Sequence, residues 1–199
     1  MNANVLKPSQ DPRQKAILAA AFDMFRQYGF RRTSMEDIAR TAAMSRAALY
    51  LHYRSKEDIF QSLVQHYFDA TCAEVTRILA LGQNPSQALS AAFAAHGGQI
   101  IQALLNSPHG AEFVDAKTHA SAEIVQSGEA RLIGIYADWL SEQAAAGRLV
   151  LQNFDGDAQA LAATMLSALN GMKVGATDYP AYAASVARLA AMFGRALSV

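Results

Sequence analysis

Cysteine, proline and long apolar runs are all scarce in this sequence, and each scarcity excludes a class of protein. Cys72 is the only cysteine, which excludes an intramolecular disulfide and a cysteine-rich metal site. No run approaches the roughly 20 apolar residues of a membrane span, and the first residues lack the apolar core of a signal peptide. The formal net charge is zero, so neither sign is in excess over the whole chain. We therefore expect a cytoplasmic protein.

Motifs of common enzymes and of metal sites are also missing. The sequence has no Gly-x-Ser-x-Gly elbow, no phosphate-binding glycine loop and no His-Glu-x-x-His helix. A metal site at His109 and His119, with Glu112, Asp115 and Glu123 nearby, stays open, but these histidines lack the spacing of a ligand pair. We expect a protein that is not an enzyme and holds no metal or other cofactor.

What the chain does contain favours helices. Hydrophobic residues make up 52% of it, alanine is frequent, and only five prolines interrupt 199 residues. Alanine is the best helix former, so an all-α fold is predicted.

Charge divides the chain into two parts. Residues 1–60 hold ten Lys/Arg against six Asp/Glu, whereas residues 61–199 hold seven against eleven. A basic first third followed by an acidic body is typical of a DNA-binding domain joined to a domain that does not touch DNA.

Two short helices are predicted in the basic part. Met35, Ile38, Ala39 and Ala42 follow the i, i+3, i+4, i+7 spacing of one helix face. Either Thr33 or Ser34 can be its N-cap, because an acidic residue stands three positions after each of them.

A second cap follows within a few residues, at Ser45, and Leu49 and Tyr53 repeat an i, i+4 contact on the next helix. Two short helices joined by so tight a turn form a helix-turn-helix, whose second helix presents its N-terminal residues to base edges. Arg46 can fork onto a guanine, alanines can touch thymine methyls, and Lys56 can meet a phosphate at a helix start. The predicted DNA-contacting residues are Thr33, Ser34, Met44, Ser45, Arg46, Ala47, Ala48, Tyr50, His52 and Lys56.

An ordered set of motifs over roughly residues 12–62 resembles the TetR/AcrR (tetracycline-repressor) family of bacterial transcriptional regulators. The matching pieces are Gly29-Phe30, Thr33-Ser34-Met35 with Ile38-Ala39, Ser45-Arg46-Ala47-Ala48-Leu49-Tyr50, His52-Tyr53 and Ser55-Lys56-Glu57-Asp58. The resemblance implies a repressor that binds a palindromic double-stranded DNA operator as a homodimer and is released by a small apolar effector. One departure is Ala43, which stands where such proteins usually carry glycine. A left-handed alanine costs roughly 1–2 kcal/mol, so either the turn tolerates that strain or it is built differently.

The expected organisation is an arm at residues 1–10, a three-helix DNA-binding domain at 11–60 and an effector-binding and dimerisation domain at 61–199. About nine helices are predicted in all. The helix that starts at Lys56 continues past the DNA-binding part, and the later helices cover about 85–106, 108–119, 120–146, 156–175 and 179–197.

Two sets of residues in the C-terminal part are candidates for function. Aromatic, Met, His and Asn side chains that can line an effector pocket, if they are not simply core, are Phe93, His96, Phe113, Tyr136, Trp139, Met165 and Asn170. Small residues that can form a four-helix dimer interface, if they do not serve internal packing alone, are Ala163, Ser167, Gly171, Gly175, Ala184, Ala187 and Ala191. The rival interpretation is a helical small-molecule sensor or carrier that acts through a protein partner without specific DNA binding.

Overall fold

The computed structural model describes residues 11–110, 112, 121–174 and 176–199. Within these ranges the chain forms eight α-helices, one short 3-10 helix and no strand, which confirms the predicted all-α class. The predicted helix at 108–119 lies mostly outside the described residues. The helices are α1 Pro12–Tyr28, α2 Met35–Thr41, α3 Arg46–Tyr50, α4 Lys56–Leu79, α5 Pro85–Leu105, α6 Ala122–Ala145, α7 Ala158–Val174 and α8 Tyr179–Ala196, with the 3-10 helix at Gln152–Phe154.

The described chain divides into two compact units. The first contains residues up to 70 together with 99–128, and the second contains 71–98 together with 129–199. Helix α4 is continuous across this division and contributes residues to both units. The segment at 99–128 thus belongs with the N-terminal helices, although it follows them by many residues.

Three phenylalanines form the aromatic centre of the first unit. The ring centroids of Phe25 and Phe30 are 5.1 Å apart, those of Phe30 and Phe60 are 5.1 Å apart, and those of Phe25 and Phe60 are 5.8 Å apart. Phe25 and Phe60 are fully buried. The cluster joins α1, the loop after it and α4, and so supports the two short helices.

The second unit has its own apolar core. Phe93 of α5 packs edge-to-face on Tyr136 of α6 at 5.9 Å and on Phe193 of α8 at 6.1 Å. Asp178 caps α8 by accepting the backbone N–H of Ala181 at 2.8 Å, as expected just before the predicted start of that helix.

Helix α5 differs from the continuous helix that was predicted. Gly98 has φ 42° and ψ −166°, outside helical geometry, so the helix is kinked there, and the division between the units falls immediately after it. The neighbouring Gly97 lies against the ring of Tyr182, where a Cβ would collide. By length and composition α5 is apolar enough to cross a membrane, with a mean hydropathy of 1.2, but core helices of soluble proteins meet the same test.

Candidate DNA-binding site

The first helix of the predicted motif is fixed by a reciprocal cap. The backbone N–H of Asp37 donates to Ser34 Oγ at 3.2 Å, and the backbone N–H of Ser34 donates to Asp37 Oδ2 at 3.1 Å. The Ser34 hydroxyl also bonds this carboxylate, and this bond is the main cause that lowers the pKa of Asp37. Ser34, and not Thr33, is therefore the N-cap of α2.

The turn between α2 and α3 is a Schellman motif closed by an alanine. The N–H of Met44 donates to the carbonyl of Ala39 at 3.0 Å, and the N–H of Ala43 donates to the carbonyl of Arg40 at 3.1 Å. Ala43 takes the left-handed conformation with φ 54°, at the position where glycine is usual. Of the two possibilities that the sequence left open, the turn therefore keeps its usual geometry with a strained alanine.

Helix α3 begins at its predicted cap, since Ser45 Oγ accepts the N–H of Ala48 at 3.1 Å. Leu49 and Tyr53 are both buried, but α3 ends at Tyr50, so Tyr53 lies beyond the helix on which it was predicted. Arg46 is exposed, and its guanidinium carbon lies 5.5 Å from the ring centroid of Tyr50. A hydrogen bond to the Tyr50 side chain raises the pKa of Arg46. The aromatic ring thus holds a long cationic side chain on the outer face of the short helix.

The predicted DNA-contacting residues divide by exposure. The five exposed residues are Ser34, Ser45, Arg46, Ala47 and Tyr50. The four half-buried residues are Met44, Ala48, His52 and Lys56, and Thr33 is buried.

Two of these residues have their side-chain donors engaged within the protein. Thr33 is only 2% exposed, and its hydroxyl donates to the carbonyl of Gly29 at 2.8 Å, in the loop before α2. Lys56 donates through Nζ to the carbonyls of Phe30, Arg31 and Thr33 at 2.9, 3.2 and 3.1 Å. An ammonium has three donors, so this geometry favours a structural role for Lys56 over the predicted phosphate contact.

His52 also faces inward. Its Nδ1 lies 3.8 Å from Asp11 Oδ2, and its side chain is 19% exposed. Asp11 caps α1, so His52 joins the end of α3 to the start of α1. A direct contact of His52 with DNA remains a prediction.

A surface cleft of about 540 Å³ lies in the same unit. One of its basic residues, Arg40, pairs with Asp37 at 2.6 Å, while another, Arg32, is exposed. The lining residues are Met24, Gln27, Tyr28, Arg32, Asp37, Arg40, Thr41 and His109.

Six of the seven candidate effector residues lie in the second unit. Phe93, Tyr136 and Met165 are fully buried, while His96 and Trp139 are nearly so. These five are core residues, and their role in ligand binding remains a prediction. Phe113 lies outside the described residues.

Asn170 takes part in a polar chain that the sequence did not predict. Its Nδ2 donates to Glu129 Oε1 at 2.9 Å, and its Oδ1 accepts from Lys173 Nζ at 3.1 Å. Burial lowers the pKa of Lys173 to about 8, and the charge of Glu129 opposes this shift. The only sequence signal for these hydrogen bonds was the presence of charged residues on otherwise apolar helices.

The predicted dimer face is open to solvent. Ser167 and Gly171 of α7 are exposed, and no heavy atom approaches the Cβ position of Gly171. Ala163 is half-buried, and Gly175 lies outside the described residues. The exposed alanines of α8 in this set are Ala184, Ala187 and Ala191.

No group of three or more potential metal ligands occurs in the part of the chain that the structure describes. His119 and Asp115, which belonged to the open metal hypothesis, lie outside that part.

The sequence similarity to known proteins lies in the N-terminal segment that contains the helix-turn-helix motifs. Residues 17–63 match the family model described as bacterial regulatory proteins, tetR family. The HTH-type transcriptional regulator YuxN of Bacillus subtilis is 32% identical over 76 residues, which cover 38% of this chain and 26% of YuxN. The match thus spans about a quarter of that relative.

Solved structures extend the likeness to the whole fold. A transcriptional regulator from Cytophaga hutchinsonii has a TM-score of 0.76 at 21% identity and covers 95% of this chain and 100% of its own. SmeT, the repressor of a multidrug efflux pump of Stenotrophomonas maltophilia, in complex with triclosan has a TM-score of 0.71 at 18% identity, with 95% and 93% covered. At these identities the similarity establishes a shared fold.

Proposed function

Because the chain belongs to the TetR family of bacterial regulatory proteins through its helix-turn-helix domain, we propose that it is a ligand-responsive repressor. It binds a palindromic operator as a homodimer in the cytoplasm and is released by a small apolar effector. The observation that carries the proposal is the outer face of α3, where Arg46, Ala47 and Tyr50 are exposed while Leu49 anchors the helix in the core.

This face has the chemistry of a major-groove reader. Arginine can bond the two acceptors of guanine at once, and small neighbours let the helix approach the bases closely. The Tyr50 ring restricts the guanidinium of Arg46 before any contact with DNA is made. Less freedom of the side chain is then lost on binding.

A homodimer is expected because one short recognition helix contacts few base pairs. Helix α3 has five residues, so a single copy reads too few base pairs to define a site. Two copies related by a twofold axis would read two half-sites about 34–36 Å apart, or farther apart on the same DNA face. The exposed small residues of α7 and α8 support this arrangement, because they would let two pairs of helices approach closely.

The second unit supports an effector site. It places aromatic residues of α5, α6 and α8 in one cluster, with the polar chain of Glu129, Asn170 and Lys173 in the same unit. An apolar interior with a few polar groups is the usual composition of a small-molecule site. SmeT, which shares the fold, is known in complex with triclosan.

The test is selection of DNA from a pool of randomised duplexes, followed by affinity measurements at fixed salt. We expect an inverted repeat to be enriched, and we expect Arg46→Ala to weaken binding by about 1–3 kcal/mol and to relax preference at one base pair of each half-site. Arg148→Ala is the control, because Arg148 is an exposed arginine of the second unit that lies outside the proposed interface helices α7 and α8. A protein that enriches no sequence and binds all duplexes alike would instead support the sensor or carrier interpretation.

A further inference from the structure

The loop of residues 29–33, which joins α1 to α2, has its backbone groups bonded by side chains from distant parts of the chain. Lys56 of α4 bonds three of its carbonyls, those of Phe30, Arg31 and Thr33. The Thr33 hydroxyl bonds a fourth, that of Gly29. The Lys56 ammonium also lies 4.8 Å from the ring centroid of Phe30. These contacts fix the acceptor side of the loop.

The donor side is held by Glu112, which lies 81 residues beyond its partner. The backbone N–H of Arg31 donates to Glu112 Oε1 at 3.0 Å. The other carboxylate oxygen lies 3.3 Å from Nδ1 of His109, whose own backbone N–H donates to the carbonyl of Arg26 at 3.3 Å. The bond from Arg31 is the main cause that lowers the pKa of Glu112. His109 is therefore bonded to α1, and Glu112 to the loop.

Gly29 provides a second, independent observation at the same place. It ends α1 with φ 87°, and a Cβ built on it would collide with the carboxylate of Glu112. The backbone conformation requires a glycine there, and the absence of a Cβ leaves the space that the carboxylate of Glu112 occupies. The loop and Glu112 fit each other closely.

We propose that Glu112 is a positioning residue for DNA binding, which sets the entry of the helix-turn-helix by holding the Arg31 peptide. The loop ends one residue before Ser34, the cap of α2, and the Schellman turn then fixes α3 relative to α2. A loop that is held on both sides therefore fixes the recognition helix as well. The inference rests on the proposed function, and it adds a residue that lies far outside the segment matched by the family model.

The negative charge of Glu112 distinguishes a positioning role from a purely electrostatic effect on DNA binding. Glu112 is a negative charge in the unit that is proposed to meet DNA, so its removal should strengthen binding if charge alone mattered. A positioning role predicts the opposite. The two explanations thus differ in the sign of the effect.

The experiment compares three variants on a duplex selected by the wild-type protein from a randomised pool. Glu112→Ala should weaken affinity about five- to tenfold, because the loop loses a charge-assisted hydrogen bond. Glu112→Gln should bind within about twofold of wild type, since its side-chain oxygen can still accept from Arg31. Glu74→Ala is the control, because it removes a different hydrogen-bonded glutamate, which is exposed and lies in the second unit, and its affinity should be unchanged. Equal or tighter binding by Glu112→Ala would overturn the proposal.

A second readout does not need DNA. The amide of Arg31 should exchange its hydrogen about tenfold faster in Glu112→Ala and at the wild-type rate in Glu112→Gln. If Glu112→Ala does not fold, Glu112→Asp replaces it, because the shorter side chain should give an intermediate loss in both measurements. If no duplex is selected, the proposed function fails, while the exchange rate still decides whether Glu112 holds the loop. An unchanged rate in the alanine or aspartate variant would contradict the proposal by itself.

Discussion

At the scale of single residues, Ala43 shows how the helix-turn-helix tolerates a departure from the usual glycine. The Schellman bonds on either side of it are both made, so the turn keeps its geometry, and the strain is confined to the alanine backbone. Left-handed alanine costs roughly 1–2 kcal/mol, and this strain persists because the surrounding hydrogen bonds determine the conformation.

Replacing Ala43 with glycine should therefore stabilise the protein. The residue is exposed, so no packing is lost. The strain removed exceeds the entropy of about 0.4–1 kcal/mol that glycine adds to the unfolded chain, and we expect a net gain of about 0.5–1 kcal/mol in the free energy of unfolding. Urea denaturation measures it. Ala42→Gly is the matched control, because Ala42 has φ −78° and no strain to release. Equal effects of the two substitutions would show that Ala43 is not strained.

Lys173 affects stability in a way that depends on pH. Its pKa is about 8 in the folded protein, below the ordinary value of 10.5. The folded state therefore holds an unfavourable charge below about pH 8, and this destabilisation disappears as the pH rises towards the unfolded pKa.

Lys173→Met should consequently be more stable than wild type at pH 7, and the difference should shrink by about 2 kcal/mol at pH 9.5, according to the linkage between pKa and stability. Urea denaturation at the two pH values measures the change. Lys15→Met provides the comparison, because Lys15 is exposed, and its effect should be the same at both pH values. A constant difference for Lys173→Met would show that burial does not shift its pKa.

At the scale of helices, the caps were predictable from local sequence, whereas the kink was missed, although the pair Gly97-Gly98 marks it. Ser34, Ser45 and Asp178 each bond an amide three residues ahead, so the whole interaction is contained in a few adjacent residues. The kink at Gly98 interrupts an apolar pattern that continues on both sides of it. Local periodicity carries no sign of such an interruption.

For a related reason, the hydrogen bonds of two predicted DNA-contacting residues were not foreseen. Thr33 and Lys56 stand at positions suited to phosphate contacts, and their residue types fit that role. Their donors are instead used by the carbonyls of the loop at residues 29–33. Which acceptor a side chain meets is decided by tertiary packing, which the sequence pattern around one helix start does not contain.

The open face of α7 and α8 gives a prediction at this scale. If it is the dimer interface, Gly171→Arg should reduce the mass in sedimentation from twice the 21.4 kDa of one chain to that of a monomer, because a long charged side chain prevents close approach of the helices. Ala145→Arg is the control, since Ala145 is exposed and stands at the end of α6, outside the proposed interface. A Gly171→Arg protein that remains dimeric would place the interface elsewhere.

At the scale of the whole molecule, the N-terminal motif was far more predictable than the C-terminal body. The helix-turn-helix contains its own caps, turn and exposed reading face within about 30 consecutive residues. The residues of the second unit meet only through long-range packing, as Phe193 does with Phe93. Glu112, at 81 residues from Arg31, gave no sequence signal of its role in the loop.

Release of DNA by an effector would require a change in the second unit to alter the first. Helix α4 is continuous from Lys56, which holds the loop before the helix-turn-helix, to Leu79, and it contributes residues to both units. A ligand that fits only one arrangement of the second unit shifts the equilibrium by its difference in affinity for the two arrangements, typically 1–3 kcal/mol. A small displacement of α4 in each subunit would then change the spacing of paired recognition helices.

This mechanism requires reciprocity between the two ligands. We expect the selected duplex to weaken binding of the effector by the same factor by which the effector weakens binding of the duplex, roughly 5- to 150-fold. The probe is a compound found by its increase of the melting temperature, titrated by calorimetry with and without the duplex. Two controls keep the second unit intact but remove specific reading of bases. One is the wild-type protein with a random duplex of equal length, and the other is the Arg46→Ala protein with the selected duplex. Equal affinities for the compound with and without the selected duplex would exclude coupling for that compound, since a ligand that does not distinguish two states cannot shift their populations.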